Sequence, residues 1–533
     1  MKSQMVHQFS RIPKVSIERS VFDRSKTHKT TFNAGDLIPF YIDEVLPGDS
    51  VNLKATLFAR LATPLVPFMD NLFMDTFFFF VPNRLVWTDW ARFMGERDNP
   101  DDNPLDYSVP QIVSAHVGGF TVGSLSDYFG LPTGVIDLSV CAFWHRAYNL
   151  IYNEWFRDQN IIDSVQVDKD AGPDDIDDYV LLKRCKRHDY FTSALPWPQK
   201  GPGVELPLGT SAPVLGIGKY DQTYDSTNVN VYESDHTTST YAKAKIIGTS
   251  AEQYWVYLEQ DPDHAGYPYV RADLRNAAGA TINSLRQAFQ LQKMYELDAR
   301  GGTRYTELVR SHFGVISPDA RLQRPEYLGG SSDRVNVIPV AQTSGTGASG
   351  TSTAMGRLAG YGTVVSKGTG FTKSFTEHGV LMGILNVRAD LTYQQGLHRM
   401  FSRSVREDFY FPALAHLGEQ AILTKEIFCD GSANDAKVFG YQERWAEYRY
   451  GVSLITGQLR STYGTSLDLW HLAQEFASYP TLSPEFIEED PPMDRIIAVS
   501  ESTGPNFILD SYIQAKWARP MPVYSVPGLI DHF

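Results

Sequence analysis

The chain has 533 residues and a formal net charge of -14 at pH 7, and 42% of its residues are hydrophobic and 21% charged. This composition excludes a disordered chain, and the charge excludes a protein that coats nucleic acid along its whole length. At this length we expect one β domain enlarged by insertions, or about two to four domains.

The first 31 residues differ from the rest because they are basic. Glu18 and Asp23 are the acidic residues of this segment. One interpretation is a solvated arm, and the other is an arm that faces the phosphates of a nucleic acid. The basic residues are Lys2, Arg11, Lys14, Arg19, Arg24, Lys26 and Lys29.

Residues 58–90 are dominated by large apolar side chains and contain four consecutive phenylalanines, from Phe77 to Phe80. Such a run cannot alternate between core and solvent. It predicts a strand covered on both faces, within one molecule or by neighbouring molecules. Since aromatic residues reach 13% of the chain, we expect apolar surface to be buried between molecules as well as within one.

The commonest pattern along the chain is a short strand-like run bounded by turn residues. A turn at 46–49 leads into an alternating run from Val51 to Arg60, which predicts a strand. The wide spacing of the other runs favours a β-sandwich with long connections. These further strands are predicted at 334–340, 379–391, 437–439, 449–455 and 495–499.

Two amphipathic helices are predicted, at 140–158 and 280–300, and Gly301-Gly302 ends the second. We interpret their apolar faces as core rather than as cofactor sites. The first face carries Trp144, Tyr148, Ile151, Tyr152 and Trp155, and the second Ile282, Leu285, Phe289 and Leu297.

Residues 163–178 contain seven Asp and one Lys. This oxygen density suits calcium, but Gly172 and Pro173 break the ligand order of an EF-hand loop. A solvated acidic loop is the favoured interpretation, and calcium bound at a subunit contact is the alternative.

Residues 203–279 are polar and irregular, with eight Tyr and one Trp. They are interpreted as an insertion outside the main core. A segment rich in Tyr, Ser, Thr and Asn has the composition of adaptable binding surfaces, and the alternative is a tolerated surface excursion.

No catalytic motif is convincing. Residues 345–350 match G-x-G-x-x-G, but neither a helix start nor an appropriately spaced acidic residue follows. The histidines are scattered, and Cys141, Cys185 and Cys429 are too far apart in sequence to suggest a disulfide framework. We expect no enzyme, no cofactor, no metal site, no signal peptide and no membrane span, although a triad of distant residues stays open.

Three segments interleave aromatic and basic residues, at 399–406, 439–450 and 512–520. Aromatic rings that stack on bases, with Lys or Arg on the phosphates, hold single strands without sequence preference. The alternative is a cross-strand aromatic ladder lined by arginine stems. With the basic N-terminus, the DNA-facing candidates are Lys2, Arg11, Lys14, Arg444, Trp445, Arg449, Lys516, Trp517 and Arg519.

Long segments resemble, in the same order, the major capsid proteins of gokushoviruses, which are small single-stranded-DNA phages of the Microviridae. The resemblance covers nearly the whole chain outside 203–279. The matching segments are 20–25, 29–35, 43–49, 58–90, 190–201, 298–305, 310–314, 317–330, 439–450, 469–473 and 518–524.

The resemblance implies a mainly β fold, an eight-stranded antiparallel jelly-roll sandwich with long insertions and a few helices. It also implies a virion protein, assembled in the bacterial cytoplasm, of which about 60 copies form a T=1 icosahedral shell around circular single-stranded DNA. The implied partners are the genome, a small basic DNA-binding peptide, a DNA pilot protein and a host surface receptor.

In this family a variable insertion builds protrusions at the three-fold axes, and 203–279 is its candidate here. The implied host-contact residues are Tyr220, Tyr224, Tyr232, Tyr241 and Trp255. Two other functions stay open on the residues alone: a carbohydrate-binding or enzymatic β-sandwich, and a cytoplasmic single-strand DNA-binding protein.

Overall fold

The computed structural model describes residues 18–97, 99, 101, 103–204, 214–215, 231–232, 239–241, 263, 269–272, 282–316, 322–341, 343 and 358–524. The chain divides into two compact units, one of residues 1–198 and 315–533 and the other of residues 199–314. The insertion predicted at 203–279 falls in the second unit, and most of it lies outside the described residues.

The strands pair antiparallel throughout the described sheets. They are β1 Ser20–Asp23, β2 Lys26–Phe32, β3 Ile38–Val45, β4 Ser50–Leu61, β5 Leu72–Pro82, β6 Gln111–Val113, β7 Ser139–Cys141, β8 Val214–Leu215, β9 Val231–Tyr232, β10 Ser239–Tyr241, β11 Arg271–Ala272, β12 Glu326–Arg334, β13 Asn336–Ala341, β14 Leu358–Ser374, β15 Gly379–Ala389, β16 Glu419–Leu423, β17 Val438–Glu443 and β18 Phe507–Arg519.

Most described helices are short. The α-helices are α1 Asn83–Val86, α2 Trp90–Phe93, α3 Leu125–Tyr128, α4 Phe143–Ile151, α5 Ile282–Arg300, α6 Tyr305–Phe313 and α7 Pro484–Ile487, and a π turn at Tyr152–Phe156 continues α4. The 3₁₀ turns are Pro104–Asp106, Ile176–Asp178, Arg399–Ser402, Arg406–Asp408, Pro412–Leu414, Thr424–Glu426, Ala433–Ala436, Ala446–Tyr448, Gly457–Leu459, Asp468–Trp470 and Met493–Arg495.

Two sheets form the sandwich of the first unit. One has the order β1-β18-β4-β14-β13, with β2 also pairing with β18, and the other has the order β12-β5-β15-β3. β1 and β2 lie one after the other along β18, so they act as one strand, and β13 and β14 form a hairpin. Counting each of these pairs once gives four strands in each sheet, in the chain orders 1-8-3-6 and 2-7-4-5. This is a jelly roll, so the expected fold class is confirmed.

The main core lies between the two sheets. β4 buries every second residue, including Val51, Leu53 and Leu57, which confirms the strand predicted from that alternation. From the facing sheet, Phe78 is fully buried and packs against Phe40 with ring centroids 5.6 Å apart. Burial of such side chains is the main favourable term for folding.

The sheet that contains β5 is covered on its second face as well. Phe79 points away from the main core into another apolar cluster, which also contains Trp87 and Tyr148. All residues of β15, the neighbour of β5, are buried. The prediction that the phenylalanine run is covered on both faces is therefore confirmed within one subunit, and burial of apolar surface between subunits stays a prediction.

The sheet that contains β18 has an exposed outer face, which we call the open face. It consists of the outward side chains of β2, β18, β4 and β14. Along β18 the burial alternates strictly from Phe507 to Trp517, and Ile508 and Tyr512 on the outward side are 59% and 45% exposed. Nothing from the described elements covers this face as α4 covers the other sheet.

Several sequence predictions are wrong. Residues 449–455 and 495–499 are not strands, since each contributes only an isolated bridge to the described pairing, Leu454 with Tyr393 and Ile497 with Pro64. The first helix begins at Phe143 rather than 140. α5 ends before Gly301 as predicted, but its apolar face is not core, because Ile282 and Phe289 are 70% and 65% exposed.

Phe78→Ala and Phe58→Ala form a matched pair that tests the layer assignment. Phe78 is fully buried and Phe58, on the open face, is 44% exposed. We expect Phe78→Ala to lower the free energy of unfolding by about 3–5 kcal/mol, because it opens a cavity in the core. Phe58→Ala should cost about 1 kcal/mol or less. Urea unfolding of the unassembled subunit measures both, and equal costs would contradict the assignment.

Candidate nucleic-acid interface

The two tryptophans predicted to stack on bases do not present their rings. Trp517 is fully buried in the main core, and Trp445 is 4% exposed. The Trp445 indole N–H donates to the carbonyl of Leu414 at 3.0 Å. Neither ring is presented to a base in this structure, and Trp445 lies before the 3₁₀ turn Ala446–Tyr448 rather than in a cross-strand ladder.

Arginines lie against these buried rings. The guanidinium of Arg519 lies 4.4 Å from the centre of the Trp517 ring and pairs with Asp49 at 3.2 Å. Arg444 lies 4.9 Å from the Trp445 ring. Arg449 is paired with Glu443. The charges of Arg519 and Arg449 are thus engaged inside the subunit, which weakens their assignment as phosphate contacts.

The segments 399–406 and 439–450 meet at a cavity of about 240 Å³. Its arginines face carboxylates: Arg399 pairs with Glu426 at 3.0 Å, and Arg403 pairs with Glu447 at 3.6 Å. Burial raises the pKa of Glu426. Because the cationic groups are matched by acidic ones, this cavity is not an anion site.

Lys516 differs from these residues because β18 carries it on the open face. Lys54 and Arg60 of β4 point to the same side. In the pairing of β4 with β18, Lys54 lies opposite Gln514 and Arg60 lies opposite Ile508. Lys29 and Lys367 extend the row on β2 and β14. Asp510 lies among them, 3.9 Å from the Lys29 ammonium.

The open face therefore combines cationic groups with exposed rings of Phe58 and Tyr512. This is the combination that holds single strands, with rings for bases and ammonium or guanidinium groups for phosphates. Sequence analysis found Lys516 but missed Lys54 and Arg60. The alternation of charged and apolar residues along β4 was the signal, since it places both charges on the solvent side of one strand.

Most of the remaining candidates lie outside the described residues, namely Lys2, Arg11, Lys14, Tyr220, Tyr224 and Trp255. Tyr232 and Tyr241 belong to the paired strands β9 and β10. From Ser20 to Phe32 the predicted basic arm is sheet, so the interpretation of a solvated arm is wrong for that part.

The aspartate cluster contains a buried ion pair. Arg146 of α4 is fully buried, and its Nε donates to Asp174 Oδ2 at 2.7 Å. The hydroxyl of Tyr179 donates to the same oxygen at 2.9 Å. Asp174 is therefore not part of a solvated loop, because its carboxylate is buried and paired with a guanidinium.

The described residues contain no group of three or more His, Cys, Asp or Glu side chains arranged to hold a metal ion. Within the same part of the chain, no helix has both the length and the apolar character needed to cross a membrane.

Comparison with known proteins places this geometry in context. The family model described as Capsid protein (F protein) matches residues 10–529. The chain is 48% identical to capsid protein VP1 of Bdellovibrio phage phiMH2K, over 99% of this chain and 98% of the relative. It is 42% identical to capsid protein VP1 of Chlamydia phage 1, over 99% and 98%, and 37% identical to that of Spiroplasma virus 4, over 98% and 98%.

Asp174→Asn tests the structural role of the aspartate cluster. The variant leaves the Arg146 charge buried without its partner, so we expect a loss of about 3–5 kcal/mol in the free energy of unfolding. Asp177→Asn, an exposed neighbour, should change it by about 0.5 kcal/mol or less. Urea unfolding with calcium or with a chelator measures both variants. A calcium-dependent rise in wild-type stability would contradict this account.

Proposed function

The chain belongs to the capsid protein (F protein) family of phages, and from this membership we propose that about 60 copies close into a T=1 icosahedral shell around circular single-stranded DNA. It is a capsid protein, a component of the virion, and it acts by assembly rather than by catalysis. The enzymatic alternative is thereby set aside.

The observation that supports an enclosed genome is the asymmetry of the sandwich. One sheet is covered on both faces, whereas the other carries the open face with Lys54, Arg60 and Lys516. The whole chain has a net charge of -14, so a cluster of cations on one surface is a local exception to the acidic character of the chain. We assign this face to the DNA, because phosphate neutralisation needs such a cluster.

The N-terminal residues Lys2, Arg11 and Lys14 are proposed to continue this lining toward the phosphates. β1 and β2 lie along β18, so the chain enters the described structure at the edge of the sheet that carries the open face. A small basic DNA-binding peptide and a DNA pilot protein are the proposed companions, since a net acidic shell protein repels DNA over most of its surface.

The proposed host contact is the insertion at 203–279, as a protrusion at the three-fold axes. Its abundance of Tyr supports a binding surface, because Tyr supplies rigid contact area at low entropic cost. The candidate contacts remain Tyr220, Tyr224, Tyr232, Tyr241 and Trp255.

Cryo-electron microscopy of the protein expressed with and without its phage partners tests the shell. We expect closed icosahedral particles with knobs at the three-fold axes and with the open face toward the interior. Monomers alone under both conditions would contradict assembly. A shell whose open face points outward would contradict the DNA assignment while leaving assembly intact.

Replacing the three open-face cations tests the DNA contact. For the free subunit carrying Lys54→Gln, Arg60→Gln and Lys516→Gln, we expect the slope of log affinity for single-stranded DNA against log salt to fall by about 2, since each phosphate contact contributes about 0.7. The control replaces three cations that are not on the open face, in the variant Arg406→Gln, Lys425→Gln, Lys437→Gln, and should leave the slope unchanged. An unchanged slope in the first variant would place the DNA elsewhere.

A further inference from the structure

A second cationic region, in the first unit, is a cavity of about 350 Å³ beside β5 and β12, which we call the aromatic pocket. Sequence analysis missed it, although the run from Lys183 to His188 holds four basic residues and one histidine around a single cysteine. The lining residues are Phe77, Phe79, Trp155, Phe156, Arg157, Asp158, Arg184, Cys185, Lys186, Arg187, His188 and Tyr327.

Aromatic rings form one wall of the pocket. Trp155, in the π turn after α4, and Tyr327, on the edge strand β12, have ring centroids 5.9 Å apart. They are 39% and 43% exposed. The Trp155 indole N–H donates to the carbonyl of Pro325 at 2.9 Å, which fixes the ring relative to β12. Two large rings thus meet solvent in fixed positions, and π turns often occur at functional sites.

The other wall carries an excess of positive charge. The Asp75 carboxylate is buried and accepts hydrogen bonds from the guanidiniums of Arg184 at 2.6 Å and Arg388 at 3.0 Å. The guanidinium of Arg187 lies 3.8 Å from the same carboxylate. Asp390 lies beside them, 3.6 Å from Arg388, so three guanidiniums face two carboxylates and positive charge remains in excess. Burial, followed by the charges of Arg388 and Arg184, lowers the pKa of Arg187. An anion in the pocket would relieve this repulsion.

The lining residues support the same conclusion. The lining contains one acidic residue, Asp158, and four basic residues: Arg157, Arg184, Lys186 and Arg187. The 240 Å³ cavity near Trp445 has the opposite property, because its arginines pair with Glu426 and Glu447. Arg187 is the group available to a ligand, since its side chain is 57% exposed.

The location of the pocket limits the source of its ligand. Phe77 and Phe79 point away from the core between the sheets, so the pocket lies on the side of the sandwich opposite to the open face. If the open face lines the genome, the pocket faces away from the DNA. This step depends on the proposed function.

We propose that the aromatic pocket binds an acidic monosaccharide unit of the host cell surface. The apolar face of a sugar ring packs on Trp155 and Tyr327, as apolar groups pack on aromatic rings elsewhere in proteins. The carboxylate lies toward Arg187, because a guanidinium fork matches a carboxylate in geometry and charge. A cavity of about 350 Å³ is at the lower end of the size of ligand pockets, which suits a single sugar residue.

Ligand titration on assembled wild-type particles tests the proposal. The probes are methyl glycosides of glucuronic, galacturonic and 3-deoxy-octulosonic acids, with the neutral methyl glucoside and galactoside as isosteric controls, followed by saturation-transfer NMR. We expect at least one acidic probe to bind with a Kd of about 1 mM, a typical weak affinity for one small ring. The neutral probes should bind about tenfold more weakly.

Variants connect the signal to the pocket. Arg187→Gln should weaken acidic-sugar binding about tenfold, since it removes the charged hydrogen bond, and Arg187→Lys should restore part of it. Tyr327→Leu should weaken it about threefold to tenfold, because it removes one aromatic face. Arg406→Gln, an exposed arginine stacked on Phe411 elsewhere, should leave binding unchanged.

Three outcomes would overturn the proposal: no acidic probe binds, Arg187→Gln binds like wild type, or thymidine monophosphate binds more tightly than every acidic sugar. Binding to free subunits but not to particles would also overturn it, because the pocket would then be closed in the shell. Closed DNA-filled particles of Arg187→Gln would show that the proposed shell function stands independently of this site.

Discussion

The constraint on which the rest of the structure depends is the cover required by four consecutive phenylalanines, of which Phe77 is half-buried and the other three are buried. Because neighbouring residues of a strand point to opposite faces, Phe78 and Phe79 require apolar cover on both sides of β5. The second sheet supplies one side, and α4 with the segments around it supplies the other. The two sheets and the α4 region thus form three layers, and among the described elements none covers the outer face of the sheet that contains β18 in the same way.

The strands that follow simple alternation could be predicted from sequence, and β4 is the example, since its pattern depends only on which side meets water. β18 has the same alternation, yet the mixture of aromatic and basic residues at 512–520 predicts a binding segment. Aromatic and basic residues occur in both settings. Only the pairing of β18 with β4, far apart in the chain, shows that Trp517 points into the core.

Asp174 and α5 show that local sequence does not reveal which distant groups a single residue or a helix face will contact. Asp174 lies in an acidic run, but its partner Arg146 is on α4, and no local pattern connects the two. The apolar spacing of α5 predicted a core face, whereas Phe289 is 65% exposed. Periodicity shows that a helix has an apolar face, but what covers that face depends on contacts that are distant in sequence.

Two features decide where this protein has excess charge: which face of a strand each charged residue lies on, and whether that residue forms an ion pair. The overall composition does not reveal either feature. The net charge of -14 gives no hint of the open face, where alternate positions of β4 and β18 collect Lys54, Arg60 and Lys516. Around Trp445, equally basic sequence is neutralised by Glu426 and Glu447. Around Asp75 three arginines face two carboxylates, Asp75 and Asp390, and an excess of positive charge remains. A cationic motif therefore indicates an anion site only after its carboxylate partners in the fold are counted. This count separates the open face and the aromatic pocket, which have an excess of cations, from the balanced cavity near Trp445.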